Sequence, residues 1–198
     1  RTLLAATLPR FELQVQEGVG AVRGIAPGSP AGHLLAAHPE IFATVDVEFS
    51  DPHEAVGGWG ASAAQFLMCY ATIERIDERP GDATAARIDD ERMLAAYVDG
   101  AWDGRGATPS GADVCAQLHG GLVEFSKAGG TLRTHVWQFD DLEFYFIPTG
   151  SKVATHEHLR ELGELDVTVF SLHADSACEA LKSRDSGRFV AAMRGYAD

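Results

Sequence analysis

The sequence predicts an α+β fold, and three observations carry that reading. Strand-like segments dominate the opening of the chain, mixed elements punctuated by glycine fill the middle, and helical segments close it. Apolar and polar residues alternate in Phe11-Glu12-Leu13-Gln14-Val15-Gln16 and in Val45-Asp46-Val47-Glu48-Phe49, so each run turns one face to a core and one to water. With 198 residues, 45% hydrophobic and 23% charged, the chain has ordinary globular composition and enough length to bury a sizeable core.

Gly18 and Gly20 mark a turn after the first strand, and Ala21 to Ile25 reads as a return strand. Ser29-Pro30 opens a short helix through Ala37, with proline in the first turn, where its missing N–H costs nothing. Phe42 to Phe49 is the next strand. The segment Gly57-Gly58-Trp59-Gly60-Ala61-Ser62 then runs into a helix from Ala63 to Arg75, rich in Ala, Leu, Met and Phe and predicted to be buried on most sides. Glu78 to Thr84 is a loop, and Asp89 to Val98 a helix ending before Asp99-Gly100. After a second loop, Gly104 to Pro109, a short helix from Ala112 to Leu118 is stopped by Gly120-Gly121. Three strand-like stretches follow at Gly121 to Phe125, Leu132 to Phe139 and Leu142 to Ile147. Helices are expected at Thr155 to Leu162, Val167 to Leu181 and Gly187 to Tyr196.

A net charge of −13 argues against a nucleic-acid partner, because phosphate backbones are held mainly by Lys and Arg. It leaves ATP open, since backbone N–H groups and a bridging Mg²⁺ can hold a nucleotide without a basic surface. The chain has three lysines, Lys127, Lys152 and Lys182. No apolar run approaches the roughly 20 residues that span a bilayer, so no membrane partner is expected. Arg1 leads into a strand-like segment without the pattern of a signal peptide. Cys69, Cys115 and Cys178 are odd in number and far apart, which fits neither a disulfide framework nor a zinc spacing. A reducing compartment, the cytoplasm, is the expectation. In His156-Glu157-His158 the two histidines do not share a helix face, so no metal site is expected there.

Three segments can carry chemistry. In the Gly-rich turn, bare backbone lets an anion approach the N–H groups and positive dipole end of the following helix, and Ser62 can reach a metal or a phosphate oxygen. The alternative is a tight strand-to-helix turn with Ser62 as N-cap. In Pro109-Ser110-Gly111-Ala112-Asp113, the first-turn Asp113 can orient or deprotonate an attacking hydroxyl. Alternatively, Ser110-x-x-Asp113 is a capping box with Asp for Glu. In Thr149-Gly150-Ser151-Lys152-Val153-Ala154-Thr155, Lys152 and the hydroxyls can face an anion, or Thr155 is simply an N-cap.

Together these segments resemble the superfamily of galactokinase, homoserine kinase, mevalonate kinase and phosphomevalonate kinase, the GHMP kinases. The family's phosphate loop, Gly-Leu-Gly-Ser-Ser-Ala-Ala, is matched by Gly58-Trp59-Gly60-Ala61-Ser62-Ala63-Ala64. Its Ser-Gly-x-Asp segment with a following Gly-Gly turn is matched by Ser110 to Gly121, and its Thr-Gly-x-Lys strand end by Thr149 to Thr155. The resemblance implies an ATP-binding domain of mixed sheet with helices on one face over 1–150, and the start of a helical C-terminal domain over 151–198. It implies Mg²⁺ and ATP as cofactors. The phosphates would be cradled by Gly57, Gly58, Trp59, Gly60, Ala61, Ser62 and Ala63, with Ser62 on the metal. Asp113 would be the catalytic base, and Ser110, Gly111, Lys152 and Thr155 would meet the substrate.

Ala61 departs from the family's first Ser and removes one hydroxyl, and Trp59 replaces Leu. The family's first motif, bearing Lys or Arg, and its Gly-rich last motif have no counterpart in these residues. Two functions follow as expectations. The first is ATP-dependent phosphorylation of a small alcohol or phosphorylated alcohol, nearest to mevalonate or phosphomevalonate kinase because of Ser110-Gly111-Ala112-Asp113-Val114 and the following Gly-Gly. The second is a catalytically silent relative or fragment that at most binds nucleotide.

Overall fold

A computed structural model describes residues 2–5, 10–53, 59–77, 88–106, 108–126, 130–145 and 167–197. It has the mixed helices and small sheets of an α+β protein, arranged in two compact units. One unit comprises Leu8–Leu118; the other combines Arg1–Thr7 with His119–Asp198.

In the contiguous unit, strands β2 (Glu12–Glu17), β3 (Val22–Arg23) and β4 (Val45–Ser50) form a sheet in the order β2-β4-β3. β2 pairs antiparallel with β4, from Glu12 opposite Ser50 to Glu17 opposite Val45. β3 was expected to return along β2 but lies parallel to β4 on its other side. The cause is a contact that local sequence does not reveal. Asp46 on β4 accepts hydrogen bonds from Val19 N and Ala21 N, both at 2.9 Å, and Gly18 N donates to Thr44 O at 3.0 Å. These bonds carry the turn across the end of β4, and the two backbone N–H bonds, the Ala21 one first, hold the Asp46 pKa below its ordinary 3.8.

Four helices complete this part of the unit: α1 (Pro30–Ala37), α2 (Pro39–Phe42), α3 (Ala61–Asp77) and α4 (Asp90–Ala101). α1 begins as predicted, with Ser29 Oγ accepting from Gly32 N at 3.1 Å and Pro30 in the first turn. α2 ends on Phe42, the first residue of the stretch expected to be strand, and β4 begins at Val45. α4 runs to Ala101, past Asp99-Gly100, because Trp102 N donates to Val98 O and closes one more turn. Ala63, Phe66, Tyr70 and Ile73 form a buried stripe along α3. Phe66 meets Tyr97 of α4 edge to face, with centroids 5.1 Å apart. Buried large side chains such as Phe66 and Met93 each contribute roughly 1.5–3 kcal/mol. α5 (Ala112–His119) follows, and left-handed Gly120 and Gly121 end it as expected.

The second unit is built on β1 (Thr2–Ala5), β5 (Leu122–Ser126) and β6 (Thr131–His135), an antiparallel sheet in the order β1-β5-β6. Helices α6 (Val167–Ser183) and α7 (Ser186–Ala197) belong to it. Leu122, Phe139, Ala177, Ala180, Leu181, Phe189 and Ala192 make its apolar core. Beyond β6 the described residues of the stretch predicted as a third strand, Leu142 to Tyr145, are irregular. Their neighbourhood is aromatic: Trp137 contacts Phe139, Phe144 and Phe189, with centroids 4.5–5.6 Å apart. Ring packing on α7 takes the place of ladder pairing there. Residues Thr155 to Leu162, expected to be helical, lie outside the described residues.

Candidate phosphate-binding site

The Gly-rich turn delivers Gly60 to the cap position of α3, since Ala64 N donates to Gly60 O at 2.9 Å. Gly60 sits at φ +78°, a conformation that L side chains rarely adopt. Among the described residues a Cβ there would meet the Gln117 Nε2 amide, at 3.0 Å. Among the described residues outside its chain neighbours, the face over Gly60 meets one movable side chain, which suits close approach by an oxyanion. Ala61, Ser62 and Ala63 make the first turn of α3, with Ser62 exposed and Ala63 fully buried. The Trp59 ring turns away onto His53, stacked at 4.6 Å with 8° between the planes, in line with Phe11 and Phe49.

The helix bearing Asp113 opens in the same manner. Gly111 is left-handed at φ +71°, and its carbonyl accepts from Cys115 N at 3.0 Å, which makes Gly111 the cap. A Cβ on Gly111 would run into the Leu94 side chain. The capping-box alternative is not what forms. Ser110 Oγ accepts from Ala112 N at 3.3 Å, and the Asp113 carboxylate accepts from Val114 N at 3.0 Å. With glycine in the cap position, the box's geometry is shifted by one residue.

Asp113 is exposed by residue area, yet the protein around its carboxyl still costs it water. That desolvation raises its pKa above 3.8, against the lowering effect of the Val114 and Asp113 N–H groups. Its neighbours are unsuited to proton transfer near neutrality. Burial pushes the Tyr97 phenol to about 12 and the Cys115 thiol to about 11, with the Asp113 charge adding to both. Asp113 is thus a carboxylate raised above its ordinary value, beside a phenol and a thiol that stay protonated near neutrality.

Gln117 links the two openings. Its Nε2 lies 3.5 Å from Trp59 O, and it follows Asp113 by four residues. Residues at that spacing share a helix face about 6 Å apart. The carboxylate is thus one turn of α5 from the side chain that touches the opening of α3. Sequence spacing gave no sign of Gln117, since its partner is 58 residues away. Gly57, Gly58, Lys152 and Thr155 lie outside the described residues.

Two other features were not foreseen. A groove of about 720 Å³ runs between β2 and α3, lined by Phe11, Leu13, Met68, Thr72 and Arg75 among others, and no candidate residue lines it. In the second unit, Glu124 is fully buried and bonded to His135. The one signal for it was an acid in the otherwise apolar run Leu122-Val123-Glu124-Phe125.

No protein-family profile and no curated protein matches the chain. Among solved structures it is similar to a mevalonate kinase of L. major in complex with R-mevalonate, at 19% identity and a TM-score of 0.45. The match covers 93% of this chain and 63% of that one, so this chain spans less than two thirds of that protein's length. The likeness is too distant to assign a role to any residue.

Proposed function

We propose that the openings of α3 and α5 form the site of an ATP-dependent kinase of small alcohols or phosphorylated alcohols, of mevalonate or phosphomevalonate kinase type. One observation carries the reading: Gln117 reaches the Gly60 turn while Asp113 stands one helical turn away on the same face. An oxyanion-accepting backbone and a raised-pKa carboxylate then serve one small volume.

In this reading the first-turn amides of α3 bind phosphate oxygens, helped by the helix dipole. Exposed Ser62 offers a hydroxyl oxygen to Mg²⁺. Bound Mg·ATP supplies the transferable phosphoryl group and neutralises its charge. Ser110 and Gly111 border the acceptor, and Asp113 takes the proton of the attacking hydroxyl onto its carboxylate. Lys152 and Thr155 are proposed to complete the substrate contacts, with an ATP-binding domain over 1–150 and a helical segment over 151–198. A cytoplasmic setting fits this chemistry, and among the described residues no helix is long and apolar enough to cross a membrane.

A second reading, a fold that binds nucleotide without turnover, draws on the donor set. Ala61 has no hydroxyl, and the one described lysine, Lys182, pairs with Glu179 in the other unit. A thermal-shift titration with millimolar Mg·ATP separates the outcomes, because a ligand of the native state must raise the midpoint. A rise that is lost in Gly60→Val supports the site. Phosphate transfer to an alcohol panel then distinguishes kinase from silent binder, and no rise at all removes both readings.

A further inference from the structure

Glu124 is the one fully buried acidic side chain among the described residues, on a strand whose neighbours Leu122, Val123 and Phe125 are apolar. The β5–β6 register puts Glu124 opposite Arg133 and Leu122 opposite His135, which makes His135 the diagonal neighbour of Glu124 on the same sheet face. His135 Nε2 lies 3.0 Å from Glu124 Oε2. The third member is Cys178, 1% exposed on the core-facing side of α6 beside Ala177 and Leu181. One ligand-capable atom from each of Glu124, His135 and Cys178 lies within 4.8 Å of the others. They come from three elements, so no short spacing could have announced them.

All three together form a recognisable donor set of thiolate, imidazole and carboxylate. Metal–ligand bonds of 2.0–2.3 Å in tetrahedral array put ligand atoms about 3.3–3.8 Å apart, so closure needs shifts of about an ångström. Charge agrees as well. A carboxylate, a thiolate and a neutral imidazole around a divalent ion sum to zero, the one balance an apolar core tolerates well. The sulfur ligand favours zinc-type ions over Mg²⁺ or Ca²⁺, which take oxygen.

We infer that Glu124, His135 and Cys178 form an internal binding site for a divalent transition-metal ion of zinc type, joining the β5–β6 hairpin to α6. Three protein ligands leave a fourth position for water. Binding exchanges the Cys178 S–H bond for an S–metal bond and releases the proton to solvent. The His135 side chain, 12% exposed, marks the side from which an ion enters. This inference is independent of the kinase reading.

The test uses the full chain stripped with a chelator and dialysed against Co(II). One Co(II) per folded chain is expected, with a near-ultraviolet thiolate-to-cobalt band that Zn(II) abolishes. Cys178→Ala should remove the band, and His135→Gln should weaken Co(II) binding about 100-fold or more, while Cys69→Ala and Cys115→Ala keep both. Folded wild-type protein that takes up no Co(II) overturns the site without recourse to any variant. So does a band that survives in Cys178→Ala, and then Glu124–His135 is only a core hydrogen bond.

Discussion

Helices α1 and α4 begin under a side-chain oxygen, whereas α3 and α5 begin on a glycine. Ser29 accepts from Gly32 N and Asp89 from Arg92 N, at 3.1 and 2.9 Å. Gly60 and Gly111 occupy the same cap position with left-handed backbone and no side chain to offer. All four helices begin within one unit. Capped ends satisfy their own amides and turn ligands away. Glycine caps offer no side chain of their own, and at α5 the neighbouring Ser110 and Asp113 side chains accept from Ala112 N and Val114 N instead. The contrast teaches that one unit can start its helices in two ways, under a capping side chain or on a left-handed glycine.

The contrast breaks hardest at Asp113. Asp113→Ala, in protein expressed from the full coding region, should lower phosphate transfer about 10²–10⁴-fold while the Mg·ATP thermal shift persists. Equal turnover in variant and parent would take Asp113 out of the mechanism. Gly111→Ala comes next, because it strains a positive φ and drives a methyl into Leu94. A loss of about 2–4 kcal/mol in denaturant unfolding is expected, and an unchanged midpoint would mean that the backbone relaxes freely.

Asp89→Ala tests the capped class and should cost about 1 kcal/mol with no change in nucleotide binding. A change in nucleotide binding would blur the division between the two kinds of helix end. The smallest effect belongs to Asp46, which ties the amides of Val19 and Ala21. Its folded pKa is lowered, so its contribution is fully present above 3.8 and fades as pH falls through the folded value. The gap in Tm between parent and Asp46→Asn should therefore narrow only in that acid range; a gap that is flat with pH would show that charge plays no part.

Legibility in the sequence followed the range of the cause. α1 was readable to the residue because Ser29 and Pro30 act within one turn. β3 was legible as a strand but not in its pairing, which Asp46 decides from 25 residues away. α2 was missed because four residues leave no periodicity. Within the candidate site, Gly60 and Asp113 stood out through residue type and local spacing. Gln117 did not, and the Ser110 box failed because the left-handed Gly111 took the cap. Glu124, His135 and Cys178 were invisible as a group, since only tertiary packing brings them together.

The pairing of β1 with β5 has a consequence for how the chain comes off the ribosome. Residues Thr2–Ala5 are made well before their partners, Leu122–Phe125. At 5–20 residues per second, those four residues stay without their strand neighbour for roughly 6–24 s. Meanwhile the contiguous block between them can complete its own structure. When Leu122–Phe125 arrive, the closure of the sheet joins the two ends of a block already folded, a far cheaper loop than an open chain of the same length. Slower translation ahead of β5 should leave native yield unchanged, whereas anything that delays the intervening block should leave an exposed strand free to pair with the wrong chain.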